Sequence, residues 1–345
     1  VPSPVTRSKA NAASKPACAR RLADPPRDRA AGRASEPPGT FGKRVRAGND
    51  PGPATVQPVR RRAVTLLCAV AAVLAIAPSP ADARVRHVAW IVFENHGHDR
   101  IFGAGSAAPT LRGLARRYGI ASRMHGLTHP SLPNYLAMTS GSTSGVADDG
   151  PPAAHPLPGP SLFGQMRGSW RSLQDAMPAP CLQRDGGDYV VRHNPAAYYL
   201  DVRAECASRS VALPAPGRPL SFPAKFTFIT PSSCHSMHAN SCAGSEDPVA
   251  QGDRWLAALW PRIRGSAQWR AGTLAVFVTF DEDGEPFTAA NRIGTVILHP
   301  SVRGVIRRRA FTHCHLLRAA EDLLGAAPLG CAARAPGLAG AFGLR

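Results

Sequence analysis

The sequence predicts an α/β protein built on a largely parallel sheet. Short apolar runs alternate with amphipathic stretches of helical period from residue 87 onward, the pattern of strands joined by crossover helices. The first and the strongest of these runs pass directly into acidic residues, and the C-terminal ends of parallel strands are where such a sheet gathers its ligand-binding groups. Residues 84–345 number 262, show no internal repeat and suit one α/β domain.

"HVAWIVFEN" (87–95) is apolar up to its last two residues and reads as a buried strand. "APTLRGLARRYG" (108–119) places Leu111, Leu114 and Tyr118 at helical spacing, with Gly119 as a C-terminal stop. "SLPNYLAMTSG", from Ser131, reads as a short helix. Residues 145–220 are rich in proline and glycine and predict long loops with short helices. "AKFTFITP" (224–231) is a strand and "DPVAQGDRWLAALWPRIR" (247–264) a helix. "GTLAVFVTFDE" (272–282) is the strongest strand, and "IGTVILHP" (293–300) is another. "THCHLLRAAEDLLG" (312–325) is an amphipathic helix ended by Gly325.

The first part of the chain differs in kind. Residues 1–55 are rich in Ala, Arg, Pro and Ser and predict a disordered basic leader. Residues 56–83 then have the layout of a secretory signal: Arg60–Arg62, an apolar core from Ala63 to Ala77, and a small-x-small site at Ala81-Asp82-Ala83. The apolar core is shorter than the roughly 20 residues of a membrane span. A signal ordinarily opens a protein, so the natural start is expected near Val56 or Val59, with residues 1–55 outside the natural product. Removal of the signal leaves no stable membrane span and a protein that is secreted, periplasmic or held at the cell surface. An uncleaved anchor is the alternative.

Charge divides the same way. The whole chain carries +18, and residues 1–83 and 84–345 each contribute +9. All 12 histidines follow residue 84, and Lys225 is the one lysine there. That composition points to site chemistry more than to a polyanion-binding surface. The leader's arginines have no interleaved aromatics, which argues against nucleic acid. Cys181, Cys206, Cys234, Cys242, Cys314 and Cys331 form an even set, which in an exported chain predicts disulfides. The sequence-local pairing is favoured: 181–206, 234–242 and 314–331. No C-x-x-C pair suggests a thiolate zinc site.

Two strand ends carry the chemistry. Glu94-Asn95 and Asp281-Glu282 supply three carboxylates and an amide. Convergence of the four would need a compensating cation, and oxygen ligands suit a hard divalent ion. Solvated acidic loop residues fit the same pattern. Ser131 lies between Pro130 and Pro133, which places it at or near a helix N-cap. N–H groups at such an end favour a phosphate. An ordinary capping serine also fits, and the G-x-S-x-G elbow is absent. Spacing alone gives an anion site, not a nucleophile.

The blocks "WIVFENHGHDRIFG", "THPSLPNYLAMTSGSTSGV", "YVVRHNPAAYY", "VFVTFDEDG", "NRIGTVILHPSVRG" and "FTHCHLLRAAEDLLG" stand in the order of a known family. Across nearly all of 87–325 the chain resembles the bacterial phosphoesterase family that includes acid phosphatases and phospholipases C, a branch of the alkaline phosphatase superfamily. The resemblance implies an alkaline phosphatase-like α/β/α sandwich with a mostly parallel central sheet. It implies Glu94, Asn95, Asp281 and Glu282 as metal ligands and Ser131 as a nucleophile that is transiently phosphorylated. It also implies Asn134 as a contact to phosphoryl oxygens, with His129 and His193 near the phosphate. His193 or His238 is expected to protonate the leaving oxygen. One block departs: relatives read approximately N-D-M-H-D where this chain has "HSMHA" (235–239). Ser236 and Ala239 replace two acidic residues, so one divalent ion (Mg²⁺, Ca²⁺, Mn²⁺ or Zn²⁺) is expected.

The resulting expectation is an exported, monomeric, metal-dependent phosphoesterase acting on small phosphomonoesters. A phospholipase C-like diesterase acting on phospholipid is the alternative within the enzyme class, and an apolar lid or accessory domain would favour it. A non-catalytic phosphate- or phospholipid-binding relative is the alternative outside it, motivated by the 235–239 departure.

Overall fold

The computed structural model describes residues 83–238, 242, 246–284 and 286–345. The expected leader (1–55) and export signal (56–83, Ala83 apart) lie outside the described residues.

Among the described residues nine strands form one sheet. They are β1 (His87–Phe93), β2 (Gly119–His125), β3 (Trp170–Gln174), β4 (Ser210–Ala212), β5 (Phe226–Thr230), β6 (Leu274–Phe280), β7 (Arg292–Leu298), β8 (Val305–Arg307) and β9 (Phe311–Thr312). The order is β4-β3-β5-β1-β6-β7-β2-β8, with β9 also paired to β2. Every pairing is parallel except the two made by β7. The α-helices are α1 (His98–Phe102), α2 (Pro109–Arg117), α3 (Ser131–Ser140), α4 (Leu162–Gln165), α5 (Cys206–Arg209), α6 (Pro248–Arg264), α7 (Ala267–Arg270), α8 (His313–Leu324) and α9 (Leu338–Ala341). No helix among the described residues is long and apolar enough to cross a membrane.

Helices cover both faces of the sheet, which explains why its central strands read as unbroken apolar runs. Trp90 of β1 meets Phe226 edge-on at 4.9 Å, and Phe163 of α4 packs 5.4 Å from Phe226. Tyr135 of α3 lies over the same face, 6.1 Å from Phe228. Three residues along the strand, Phe93 turns to the opposite face and meets Trp255 of α6 at 5.8 Å, as strand alternation requires.

The expected strands and helices are present with small shifts at their ends. The differences have physical causes. Gly119 does not stop α2, which ends at Arg117; it opens β2. A Cβ there would fall 2.8 Å from the Phe342 ring and 2.9 Å from Val302, so close packing requires the glycine. The 145–220 region holds strands β3 and β4 as well as loops. Their polar residues hid them: Ser172 and Gln174 of β3 are buried, where Ser172 bonds Asn194 at 2.9 Å and Gln174 bonds Thr230 at 3.3 Å. The disulfides are Cys181–Cys206, Cys234–Cys242 and Cys314–Cys331, the sequence-local set.

One buried carboxyl outside the strand ends gives a stability test. Glu321 of α8 is wholly buried, with Oε1 accepting from Leu329 N–H at 2.8 Å and Oε2 unpartnered. Burial pushes its carboxyl from 4.5 up to about 7. A carboxyl that binds its proton more tightly when folded makes stability fall as pH rises from the unfolded value toward the folded one. Glu321→Gln keeps the Oε1 acceptor and removes that loss. Urea denaturation is expected to find it about 1 kcal/mol more stable than the native chain above pH 7, with no gain below pH 4.5.

Candidate active site

β1 and β6 are neighbours in parallel register, with Phe93 opposite Phe280. Their ends therefore deliver Glu94-Asn95 and Asp281-Glu282 to one point. The carboxylates of Glu94, Asp281 and Glu282 are almost completely buried. Asn95 turns back on itself with φ 43°, a left-handed conformation that asparagine tolerates better than most residues. Its backbone N–H donates to Asp281 Oδ1 at 3.0 Å and its side-chain amide to Glu282 Oε1 at 3.1 Å. Gly284 makes this turn possible, since a Cβ there would lie 2.5 Å from the Asn95 carbonyl.

α3 brings Ser131 to the same point. Pro130 occupies the cap position and Ser131 is the first helical residue, so the serine is not spent as a cap. Its hydroxyl lies 3.1 Å from Glu94 Oε2, 3.3 Å from Asn95 Oδ1 and 3.4 Å from Glu282 Oε1. The expected phosphate-binding helix end is partly occupied by the protein itself: Leu132 N–H donates to Asp149 Oδ1 at 2.9 Å.

Asn134 sits one turn on, but its amide turns toward protein. Its Oδ1 accepts from the Leu127 and Thr128 N–H groups at 2.9 and 3.2 Å. Its Nδ2 lies 2.7 Å from the Thr128 carbonyl and 3.2 Å from Glu282 Oε2. Asn134 thus ties the 127–130 turn to Glu282, and it is buried.

The histidines divide by position. His193 is buried, stacks on Tyr135 at 5.5 Å, and holds Nε2 3.1 Å from Glu94 Oε2. His129 Nδ1 lies 2.7 Å from Glu282 Oε2, its Nε2 is 3.5 Å from Asp283 Oδ1, and the exposed Phe287 ring covers it at 4.3 Å. His238 is exposed and lines a cleft of about 500 Å³ with Asn95, His96, Arg100, Asp283 and Thr288. In the block that departs from relatives, His235 pairs with Asp175 at 2.6 Å, and Ser236 is buried with its carbonyl accepting from Glu94 N–H at 2.9 Å. Ala239 lies outside the described residues.

Residue-level reading missed Tyr135, whose hydroxyl donates to Glu94 Oε1. Its spacing of four from Ser131 was the available signal, because i and i+4 share a helix face. It also missed Asn291, which accepts from Asp283 N–H at 2.8 Å and donates to the Thr128 carbonyl at 2.9 Å. No local pattern marks that residue. His313 is buried and donates from Nε2 to the Asp281 carbonyl at 2.5 Å.

Electrostatics separates the carboxyls. Burial works against the Glu94 charge, but His193, Tyr135 and Arg192 outweigh it and lower Glu94 to about 2. Burial pushes Asp281 well above the usual carboxylate range, and the Glu94 and Glu282 charges push the same way. Burial, with Glu94 and Asp149, pushes Glu282 up to about 8. Asp281 Oδ2 has no hydrogen-bond partner among the described residues. Among the described residues no group of three or more His, Cys, Asp or Glu side chains is arranged to hold a metal ion as it stands. The oxygens available to a cation are those of Glu94, Asn95, Asp281, Glu282 and Ser131.

The family model of the Phosphoesterase family matches residues 104–291, more than half of the chain. The chain belongs to the phosphoesterase family. The matched span includes Ser131, Asp281 and Glu282, while Glu94 and Asn95 precede it. This phosphoesterase is 27% identical over 261 residues to a phosphatidylinositol-3-phosphatase of Mycobacterium tuberculosis, covering 74% of this chain and 83% of that protein. It is 24% identical over 250 residues to an acid phosphatase of Aspergillus fumigatus, covering 65% of this chain and about half (52%) of the relative. A Vibrio parahaemolyticus protein of the alkaline phosphatase superfamily shares the fold, with TM-score 0.51 and 12% identity over 77% of this chain and 74% of that one. The phosphoesterase is a hydrolase of phosphate esters with an α/β fold shared with that Vibrio protein.

Asn134 offers a test of its place in the site. Asn134→Ala removes the ties to the 127–130 turn and to Glu282. It is expected to lower stability by about 2–4 kcal/mol in urea denaturation. A loss of phosphatase activity without a loss of stability would instead assign the amide to substrate.

Proposed function

We propose that the protein is a metal-dependent phosphomonoesterase of the acid phosphatase type, working through a phosphoserine on Ser131. The observation that carries this reading is the placement of the Ser131 hydroxyl within 3.4 Å of Glu94, Asn95 and Glu282. A capping serine would turn its oxygen to backbone N–H groups; this one faces carboxylates.

The donor set fits a hard divalent cation. Three buried carboxyls gather at two neighbouring strand ends, burial and the Glu94 charge push Asp281 and Glu282 up, and among the described residues one Asp281 oxygen has no partner. A cation held by Glu94, Asn95, Asp281 and Glu282 would keep them ionised and supply Lewis-acid stabilisation of charge on the phosphoryl group. Ser131 Oγ forms the bond to phosphorus as the bond to the leaving oxygen breaks, and the serine proton passes to a neighbouring carboxylate. His238, exposed in the cleft, protonates the leaving oxygen. Water then hydrolyses the phosphoserine. His193 holds Glu94 charged, and His129 positions Glu282. The three disulfides support export to an oxidising compartment.

The similarity to a phosphatidylinositol-3-phosphatase favours a phosphorylated lipid headgroup as a second substrate reading. The cleft beside Asn95, with Arg100 and His238 on its walls, suits a leaving group that carries further polar or anionic substituents.

Phosphate release from p-nitrophenyl phosphate tests the reading. Ser131→Ala is expected to lower kcat at least about a thousandfold, and EDTA to abolish activity until a divalent metal is restored. Acid quenching of the native enzyme with labelled substrate should leave label on Ser131. Activity retained in the Asp281→Ala, Glu282→Ala double variant would overturn the metal assignment.

A further inference from the structure

We propose that a basic groove at the β8 edge of the sheet docks this protein on an anionic lipid surface. The groove, of about 420 Å³, lies between α1, α2, β2 and β8. Arg112, Arg116, Arg292 and Arg308 line it, over a floor that includes Phe102. Among the described residues Arg112, Arg116 and Arg308 make no ion pair, and Arg292 has one, with the exposed Asp99 at 3.5 Å. The low lysine content pointed away from a polyanion surface; the arginines nevertheless gather on one edge.

A second feature selects lipid over other anions. Ile306 stands in the lining, 51% exposed, two residues before Arg308 along the same edge. An exposed aliphatic side chain in a groove that arginines also line matches the interface of a bilayer, where phosphates lie above acyl chains. A nucleic acid would use open aromatic faces for stacking, and Phe102, the aromatic ring of the groove, is half-buried and packed 5.2 Å from His98.

The groove and the cleft share a wall. His98 and Phe102 of α1 face the groove, while Gly97 and Arg100 of the same segment face the cleft. Docking through the groove sets the cleft mouth beside the lipid headgroups. Neither the docking nor its test depends on the catalytic reading.

Sedimentation of the full chain with vesicles is the test. Binding is expected to vesicles of phosphatidylcholine mixed with phosphatidylglycerol, to weaken with salt, and to be absent with phosphatidylcholine alone. The Arg112→Ala, Arg116→Ala, Arg308→Ala triple variant should bind about a hundredfold more weakly, with circular dichroism and thermal midpoint close to the native values. If the triple variant does not fold, Arg308→Glu, at an exposed position just past β8, carries the test, with a loss of about fivefold or more. Ile306→Ser should also weaken binding. No binding to the mixed vesicles overturns the proposal. So does binding undiminished in the variants, which would locate it elsewhere, such as the arginines of residues 1–62. Retention of polyuridylate in preference to vesicles, lost in the same variants, would assign the groove to nucleic acid and overturn it as well.

Discussion

Three carboxyl groups buried around one hydroxyl set the terms for this structure. Isolated charges are costly to bury, and like charges in contact raise that cost. Glu94, Asp281 and Glu282 nevertheless meet at Ser131, inside a core of apolar strands. Much of the surrounding architecture answers that arrangement. Tyr135 and His193 stabilise the charge of Glu94 from one side. Asn95, Asn134 and His129 hold Glu282 from the other. What remains unanswered, a partnerless Asp281 oxygen and two carboxyls pushed toward their protonated forms, is the share a cation would take.

Sheet topology makes the meeting possible. β1 and β6 are parallel neighbours, so both acidic pairs emerge on the same edge at the same height. β7 runs the other way and therefore contributes from its beginning: Asn291 stands just before it and clamps both Asp283 and the Thr128 carbonyl. That clamp links the β6–β7 connection to the turn that presents Ser131. The serine turn, the acidic strand end and the start of the reversed strand are thus tied together by hydrogen bonds.

The sequence made some of this legible, and physical reasons account for the rest. β1 and β6 are buried on both faces, so their apolar runs were unmistakable and their acidic ends stood out. Ser131 was marked by its flanking prolines. β3 was hidden because Ser172 and Gln174 point into a buried polar network, which looks like loop composition from the chain alone. Gly119 resembled a helix stop although its role is to admit the Phe342 ring. For Asn134, the family resemblance indicated a place in the site but not its partners there, and backbone groups six and seven residues away bond the amide. His193 lies in a short 3-10 turn inside a stretch without periodicity, so only the resemblance to a family pointed to it.

All ten residues of α3 are buried, and Gly141, which ends it, abuts the Leu329 carbonyl so closely that a Cβ would lie 2.3 Å away. Ser131 therefore rides on a tightly packed segment. Evolution or an engineer seeking a new substrate range has almost no freedom there, since each change would disturb packing and chemistry together. The freedom lies at the rim instead, in Arg100, Phe287 and Thr288. Selectivity in this fold can therefore be retuned from the outside while the reacting centre stays as it is.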